Sequence, residues 1–368
     1  MKPKLRFKNF NNDWINCTIK DVADVIGGGT PDTSNSKFWN GDINWFTPSE
    51  VGKSKYVSNS ERKITELGVQ KSSAKLLPIG AILLSSRATV GEASILEKNQ
   101  ACTNQGFQSL VAHKNIDTEF LYYLKDKYKK EMLNKAFGST FLEISKSNIE
   151  KIKIKIPSIE EQTKISNFLS LLDKKIELQS KKIEDLKLFK LYIRNNLNIS
   201  SKEKIIKLKE LVYCNSSNTT LNDIENDDGI YPIYGATGLI KNISRYSIDK
   251  KYIAIVKDGA GVGRTIICNE KSSILATMNA LIPKDNYPIN YVCELINTIK
   301  FNKYVVGSGI PHIYFKDYGN EELKIHDIKT ANKISRIFKC LDKKIILLNN
   351  QLNKLNELKK GLMQNMFV

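Results

Sequence analysis

The chain lacks the long apolar segments that mark membrane and exported proteins. Its 368 residues contain no run close to the roughly 18–20 apolar residues that a transmembrane helix needs. Its first seven residues, Met-Lys-Pro-Lys-Leu-Arg-Phe, are basic at every second position and have no apolar core of a signal peptide. We therefore expect a cytoplasmic protein.

Metal-ligating side chains are scarce as well. The chain has three histidines, and its six cysteines form no Cys-x-x-Cys pair, which argues against a zinc site. In a reducing compartment such cysteines are small packing residues. No bound metal is predicted. The cysteines are Cys17, Cys102, Cys214, Cys268, Cys293 and Cys340.

Signatures of nucleotide-dependent enzymes are missing too. The chain has no Gly-x-x-x-x-Gly-Lys-Ser/Thr loop for ATP and no Asn/Asp-Pro-Pro-aromatic motif of an adenine methyltransferase. The stretch from Asp258 to Arg264 is rich in glycine and follows a predicted strand. The β-forming residues Thr265–Cys268 come next, where a phosphate loop needs the N-terminus of a helix, so we predict a β-turn. The histidines His113, His312 and His326 lie in no recognisable catalytic setting.

What the chain does have is an excess of positive charge. Lysine and arginine total 57 against 39 acidic residues, a net charge of +18 with a pI near 9.4. Such a balance indicates a polyanionic partner, most often nucleic acid, although a lysine-rich proteome gives the same composition. Hydrophobic content of 41% and the length indicate two or three globular domains.

The chain also contains a repeat with an offset of 169 residues. Residues 156–186 match residues 325–355, and the match reaches back without a gap to Gly138-Ser139 and Gly307-Ser308. Two like halves suggest a protein that meets a partner twice. Identical pairs include Lys164/Lys333, Ser166/Ser335 and Asp173/Asp342.

Both repeated segments show the heptad spacing of a coiled coil. Apolar residues follow one another at steps of four and three, which predicts two long helices that pair along an apolar seam. Ordinary bundle helices are the alternative. About 38 residues would form a rod of roughly 55–60 Å. The first seam consists of Ile165, Leu169, Leu172, Ile176, Ile183, Leu186, Ile193 and Leu197, and the second of Ile334, Phe338, Leu341, Ile345, Leu352, Leu355, Leu362 and Met366.

The predicted fold class is α+β, with two mixed α/β domains in tandem, each followed by a long helix. Strand-like runs and turn clusters fill the segment before each helix, and the two segments share a plan more than a sequence. We place the domains at 1–155 and 201–324 and the helices at 156–200 and 325–368, with a linker at 195–204. Like helices and unlike domains suggest a common partner on the helices and two different targets on the domains.

The predicted loops mix amide, hydroxyl, cationic and aromatic side chains, the groups that contact bases and phosphates in DNA. Taken singly, each such side chain is more often a solvated loop residue than a DNA contact, so the prediction depends on the set and on the charge. The candidate DNA contacts are Lys37, Lys55, Tyr56, Arg62, Lys63, Arg87, Asn104, Gln105, Asn215, Asn218, Tyr234, Lys241, Arg245, Lys257 and Arg264.

Two other functions are compatible with parts of the sequence. Pro31-Asp32 followed by Glu61-Arg62-Lys63 fits the permissive pattern of a Mg²⁺-dependent nuclease, in which Asp32, Glu61 and Lys63 would surround the metal. The three glycines before Pro31 favour a turn instead, and the second half has no equivalent. A basic scaffold that binds an acidic protein is the other alternative.

Several motifs of the chain are typical of one known family. The chain opens with Pro3-Lys-Leu-Arg-Phe7 and Trp14. The other motifs are Gly28-Gly-Thr-Pro31, Phe38–Pro48, Thr103-Asn-Gln-Gly106, Tyr231-Pro-Ile-Tyr-Gly235 and Ile156-Pro-Ser-Ile-Glu-Glu-Gln162. Together they resemble the specificity subunits of type I DNA restriction–modification systems. One departure is that the second helix begins with His326-Asp-Ile-Lys-Thr-Ala331 where the family usually has Pro and Glu-Glu-Gln.

The resemblance implies a subunit with no catalysis of its own. Two target-recognition domains would each read one half of a bipartite DNA site, related by a pseudo-two-fold axis. Two antiparallel helices would set the gap and dock two methylation subunits, which use S-adenosylmethionine. Two restriction subunits would add ATP- and Mg-dependent translocation and cleavage. This chain itself is expected to bind no cofactor.

Overall fold

A computed structural model describes residues 2–138, 142–197, 204–284 and 286–368. The chain divides into two compact units, the first made of 1–177 with 353–368 and the second of 178–352. Each unit therefore combines one globular half with segments of both long helices. Ser139 of the repeat and residues 198–203 of the predicted linker lie outside the described residues. Among the described residues, no helix has the length and apolarity that crossing a membrane requires.

The globular half of the first unit alternates short helices with strands. Its helices are α1 (Ile19–Val22), α2 (Glu66–Gln70), α3 (Thr118–Lys135) and α4 (Lys146–Glu150), with 3-10 turns at Ser36–Phe38 and Pro48–Glu50. Its strands are β1 (Ile15–Thr18), β2 (Ala23–Gly27), β3 (Trp39–Phe46), β4 (Tyr56–Val57), β5 (Arg62–Ile64), β6 (Ile82–Leu84), β7 (Ala93–Leu96), β8 (Ala101–Thr103), β9 (Gln108–Ala112) and β10 (Lys153–Ile156). The first long helix, α5, spans Ile159–Asn195.

The second half follows the same order with fewer strands. Its helices are α6 (Leu208–Leu211), α7 (Ile289–Ile296) and α8 (Phe315–Tyr318), with 3-10 turns at Asn222–Ile224 and Phe301–Tyr304. Its strands are β11 (Lys204–Lys207), β12 (Val212–Ser216), β13 (Tyr231–Gly235), β14 (Gly238–Ile243), β15 (Tyr252–Val256), β16 (Thr265–Cys268), β17 (Ser273–Ile274), β18 (Met278–Pro283) and β19 (Glu322–Ile325). The second long helix, α9, spans Ile328–Met366.

Sheet topology is similar in the two halves. In the first, β2-β9-β6-β7-β4 form one sheet, β5-β3-β8 a second, and β1-β10 a two-stranded antiparallel pair. In the second, the sheets are β12-β18-β15-β16, β14-β13-β17 and the antiparallel pair β11-β19. The central strand β15 pairs on both sides and is fully buried, which explains its unbroken apolar sequence. The prediction of a mixed α/β fold is confirmed.

The long helices pair antiparallel within each unit. In the first unit the start of α5, at Ile165 and Leu169, packs in one core with the end of α9, at Leu362 and Met366. Within the second unit, α5 Gln179 Nε2 donates to α9 Leu348 O at 3.1 Å, and the end of α5 packs with the beginning of α9. The predicted coiled-coil pairing is thereby confirmed.

Both helices begin three residues later than predicted. Ile156 and Ile325 end strands β10 and β19, because each is paired with the first-strand partner of its own half, Ile15 and Lys204. Asp327 then caps α9 in place of the family motif, since its Oδ1 accepts from Thr330 N at 3.0 Å. The last helix of the second globular half, α7, ends at Ile296 and is followed by the 3-10 turn Phe301–Tyr304.

The seam of each unit contains one lysine among the apolar residues. Lys190 and Lys359 occupy equivalent heptad positions, 169 residues apart. Lys190 Nζ lies 2.6 Å from Asp342 Oδ1 and 2.8 Å from Glu294 Oε1, and Lys359 Nζ lies 2.5 Å from Asp173 Oδ1. Burial works to lower the pKa of Lys190, but its hydrogen bonds to Asp342 and Glu294 raise it above the ordinary value. The two ion pairs are therefore equivalent under the repeat.

Gly361 offers a test of the local stability of α9. A Cβ at Gly361 meets nothing within 4 Å, and the residue lies inside a helix. We expect Gly361→Ala to raise the free energy of unfolding by about 0.5–1 kcal/mol, because alanine lowers the entropy of the unfolded chain. Gly238→Ala is the matched control: its Cβ also meets nothing, but φ is +114°, so we expect destabilisation. Urea unfolding measures both, and equal effects would contradict the explanation.

Candidate nucleic-acid interface

One arrangement of loops recurs in both units with the same backbone hydrogen bonds. We call it the loop frame: residues 85–92, 106, 137–138 and 142–144 in the first unit, and 256–264, 277 and 306–313 in the second. Each frame has three parts. The turn after a buried strand (85–92 after β6, 256–264 after β15) is joined to a short hairpin (137–138 with 142–144, and 306–313) and to a third loop (at 106 and at 277). In the first unit the bonds are Ser86 N to Gly106 O 2.8 Å, Ala88 N to Leu142 O 3.0 Å, Ile144 N to Ser86 O 3.0 Å, and the reciprocal Phe137–Glu143 pair at 2.9 Å.

The second unit repeats each of these bonds at the equivalent position. The hairpin residues carry over at the offset of 169 and the turn residues at 171 or 172. The bonds are Lys257 N to Thr277 O 2.9 Å, Gly259 N to Pro311 O 2.8 Å, Ile313 N to Lys257 O 2.9 Å, and the reciprocal Val306–His312 pair at 2.8 and 2.9 Å. The globular halves therefore share a precise local scaffold, although sequence alone showed only a common plan.

Left-handed backbone positions recur in the same places. The hairpin begins at Gly138 with φ +115° and at Gly307 with φ +92°. The turns contain Gly91 at +85° and Gly263 at +83°, and Ala88 at +62° where the second unit has a glycine. Glycine adopts this region without strain, which explains the glycine-rich stretch 258–264. The turn leads into strand β16, as predicted, and not into a helix.

Identical scaffolds carry different side chains. In the first unit Arg87 Nε lies 3.6 Å from Glu143 Oε2. At the same two positions the second unit has Asp258 and His312, with Oδ1 and Nδ1 2.8 Å apart. Lys257 Nζ approaches the other carboxylate oxygen at 2.5 Å. Partial burial works to raise the pKa of Asp258, but the hydrogen bonds from His312 and Lys257 outweigh it and hold that pKa below its usual value.

Two further loops border the frame of the first unit. The Thr30 hydroxyl donates to Gln105 Oε1 at 2.5 Å, and Asn104 Oδ1 accepts from Gly106 N at 2.8 Å. A Cβ at Gly28 would lie 2.0 Å from Asn104 O, so only glycine fits there. Of the predicted contacts, Arg87, Asn104 and Gln105 therefore come together on one polar edge.

A second group of predicted residues surrounds two tryptophans. The Arg62 guanidinium lies 3.7 Å from the centre of the Trp39 ring, and Trp45 Nε1 donates to Gly29 O at 2.9 Å. This contact links the tryptophans to the glycine loop beside Asn104. Lys37 is exposed on the adjoining 3-10 turn, and Lys63 is exposed on β5 next to Arg62.

Lys55 and Tyr56 occupy a different place from the one expected of loop contacts. Lys55 Nζ lies 2.8 Å from Glu119 Oε2, 2.9 Å from Tyr123 Oη and 2.5 Å from Ser170 Oγ, and Tyr56 also donates to Glu119. These contacts tie the segment at Lys55 and Tyr56 to α3 and α5. The ammonium group of Lys55 would have to give up these partners to bind a phosphate, so the position indicates a structural role.

In the second unit the predicted residues separate into two groups. Lys257 and Arg264 belong to the loop frame. Arg264 donates to Ala236 O at 3.4 Å, in the turn between β13 and β14, and Tyr234 lies on β13. Asn215 and Asn218 are exposed at the end of β12, beside Thr219 O, which accepts from Ala276 N at 2.7 Å. These residues form the polar edge of the second unit.

Lys241 and Arg245 lie toward the end of the β13–β14 hairpin that is farther from Ala236. Lys241 Nζ binds Asp228 Oδ1 at 2.9 Å and Ile224 O at 3.2 Å, so it holds the loop before β13. Arg245 is exposed beyond Ile243, the last paired residue. The structure does not bring these two cations to the loop frame.

Asp32, one of the three candidate nuclease residues, makes local contacts. Asp32 Oδ1 accepts from Ser34 N at 2.9 Å and from its hydroxyl at 2.8 Å, and these two hydrogen bonds lower the pKa of Asp32. Such an Asx turn is the alternative that the glycines before Pro31 favoured. Across the described ranges, no cluster of three or more His, Cys, Asp or Glu side chains has the arrangement of a metal site.

Sequence reasoning missed Glu143, Asp258 and His312. The signal that could have found two of them is the repeat itself, because an offset of 169 places Glu143 on His312 just as it places Gly138 on Gly307. Asp258 was noticed only as part of a glycine-rich turn. Its partner lies 54 residues away in sequence, which no local pattern indicates.

Sequence comparison finds relatives that are named as specificity subunits of type I restriction enzymes. The relative called type I restriction enzyme MjaIX specificity subunit, from Methanocaldococcus jannaschii, is 40% identical over 205 residues, covering 55% of this chain and 47% of the relative. The chain thus spans about half of that relative's length. The EcoprrI specificity subunit of Escherichia coli is 22% identical over 382 residues, covering 96% of this chain and 92% of the relative.

A solved structure shares the whole fold. The type I restriction–modification S subunit from M. genitalium covers 100% of this chain and 99% of its own, with a TM-score of 0.71 and 18% identity. At family level, residues 11–188 and 201–357 each match the type I restriction modification DNA specificity domain. Since these two matches cover most of both halves, the chain belongs to the type I restriction modification DNA specificity domain family.

Proposed function

We propose that this chain is the non-catalytic specificity subunit of a type I restriction–modification complex and reads a bipartite DNA site. Each loop frame, with the polar edge around it, contacts one half-site. The observation that carries the proposal is the retention of one backbone scaffold in both units with different side chains on it. A shared scaffold fits a shared task, and different donors and acceptors fit different base sequences.

The long helices complete the proposal. Two methylation subunits dock on the helix pair and use S-adenosylmethionine, and two restriction subunits bring ATP- and Mg-dependent translocation and cleavage. Large apolar side chains remain exposed on both helices, which supports docking of protein partners there. Examples are Phe168, Leu171, Leu188, Phe189, Ile337, Ile346 and Leu347.

The residues predicted for helix pairing are assigned to the contact between the helices and not to the outer surface. In the structure they are buried or half-buried, and the exposed residues lie at other heptad positions. The seam set comprises Ile165, Leu169, Leu172, Ile176, Ile183, Leu186, Ile334, Phe338, Leu341, Ile345, Leu352 and Leu355. Loss of a seam residue would therefore reduce stability before it reduced partner binding.

The first test is the adenine methylation pattern that the chain directs. The chain is co-expressed with its methylation partner in a host without adenine methylation of its own, and the methylome is sequenced. We expect one bipartite motif. Gln105→Ala should relax selection in one half-site only and Arg264→Ala in the other, because they lie on different polar edges. Lys187→Ala, an exposed change on α5, is the matched control and should leave the motif intact.

Three results would overturn the proposal. Methylation at no bipartite motif would exclude a role in split-site recognition. DNA affinity without a steep dependence on salt would favour the scaffold alternative, since phosphate contacts release counterions and make binding salt-dependent. Cleavage of DNA by the isolated chain with Mg²⁺, lost in Asp32→Ala, would favour the nuclease alternative.

A further inference from the structure

The order of acid and base across the loop frame is reversed between the two units. In the first unit the cation, Arg87, lies on the turn after the buried strand, and the anion, Glu143, lies on the hairpin. In the second unit the anion, Asp258, lies on the turn, and the imidazole of His312 lies on the hairpin. The backbone at both positions is bridged in the same way in the two units. Each frame therefore holds a basic side chain against a carboxylate across these two positions, and in the second frame Lys257 binds the same carboxylate.

We propose that His312 is the counterpart of Arg87, and that each contacts the DNA of its own half-site from the same point of the loop frame. The inference rests on the proposed function and adds to it a DNA-contacting residue in the second unit. Its ligand is an acceptor on DNA, either a phosphate oxygen or the N7 and O6 edge of guanine. Asp258 and Glu143 are positioning residues.

The orientation of the imidazole supports this role. Nδ1 faces Asp258 Oδ1 at 2.8 Å, which leaves Nε2 on the opposite side of the ring. The His312 side chain is 37% exposed, close to the 47% of Arg87. A Cβ at Gly307 would lie 3.2 Å from the ring Cδ2, so this glycine lets the hairpin backbone pass close to the imidazole.

The chemistry of the two basic side chains predicts which replacements are tolerated. A guanidinium presents several N–H donors in a fixed plane, whereas the imidazole, with Nδ1 facing Asp258, has Nε2 left for a contact. The other oxygen of the Asp258 carboxylate is bound by Lys257. Replacement of His312 by arginine should therefore keep the contact with DNA, whereas replacement by alanine should lose it.

The test uses the complex of the full chain with its methylation partner. The probes are a duplex carrying the bipartite motif read from the methylome and an unrelated duplex of equal length, and the affinity for each is measured. We expect His312→Ala to weaken binding about tenfold or more. His312→Arg should restore most of the affinity, and Arg87→Ala should lose a similar factor. Asp258→Asn should weaken binding less than His312→Ala does, because the ring is kept but a carboxylate no longer fixes its orientation.

The two duplexes separate the two kinds of acceptor. A loss on both duplexes indicates a phosphate contact, and a loss confined to the motif indicates guanine; either result supports the proposal. His113→Ala is the matched control, since His113 is exposed and also pairs with a carboxylate, 3.4 Å from Asp24. His113→Ala should keep the wild-type affinity for both duplexes.

Equal affinity of His312→Ala and wild type on both duplexes would overturn the inference. So would a loss that His312→Arg does not rescue while the melting temperature stays unchanged. If the wild-type complex selects no bipartite motif at all, the proposed function fails instead, and the two failures remain distinguishable.

Discussion

Removing one matched heptad from both long helices is expected to abolish methylation at the native half-site spacing. The deletion takes out residues 180–186 and 346–352, which pair with each other in the second unit. It leaves both seam ion pairs, Lys190–Asp342 and Lys359–Asp173, in the same register. At about 1.5 Å per residue the helix pair becomes about 10 Å shorter, close to three base pairs of DNA.

The expected loss is large because DNA is helical. Three base pairs fewer also turn one half-site by roughly 100° about the DNA axis, given about ten base pairs per turn. Seven residues are close to two full turns of an α-helix, so the protein does not follow that rotation. Any motif that remains should keep both half-site sequences and have a shorter gap. Methylome sequencing of the variant reads both properties at once.

The control deletes residues 180–186 alone. One helix is then shorter than the other, so the two ion pairs cannot form in the same molecule, and we expect a loss of stability instead of a shorter gap. Methylation by the double deletion at the unchanged native spacing would contradict the view that the helices set the distance between half-sites.

The helices were predictable because their pattern is local. The seam residues Ile165, Leu169 and Leu172 follow one another at steps of four and three. This spacing is visible in the sequence and predicts a pairing helix. The helix starts were displaced because Ile156 and Ile325 are held in strands by partners far away in sequence. Periodicity cannot report such partners.

The candidate site was harder to predict for the same reason. Lys55 looked like a loop cation, but its partners Glu119 and Ser170 are 64 and 115 residues distant and only the fold brings them together. The loop frame depends on bonds such as Ile144 N to Ser86 O, which no spacing rule contains. A residue type in a loop thus predicts a possible contact, whereas the side chain's other partners decide whether it is available.

The seam lysines lead to the second large effect. Lys190→Met is expected to lower the free energy of unfolding of the full chain by about 2 kcal/mol, between the cost of breaking a buried ion pair and that of an exposed one, because the Asp342 side chain is 37% exposed. The Glu294 side chain is only 5% exposed and would keep Arg194 Nε at 2.6 Å, but Asp342 would lose its cation. Lys187→Met, on an exposed position of the same helix, is the matched control and should change stability by no more than about 0.5 kcal/mol.

Replacing both partners separates stability from register. In Lys190→Met with Asp342→Leu, no anion is left without its cation and an apolar side chain replaces the seam lysine, so much of the lost stability should return. A double-mutant cycle should give a coupling of at least about 1 kcal/mol. If the seam lysine specifies how the helices align, as polar seam residues do in other coiled coils, the double variant should fold yet methylate sites with more than one gap length. A single sharp gap in that variant would show that the apolar contacts alone determine the alignment.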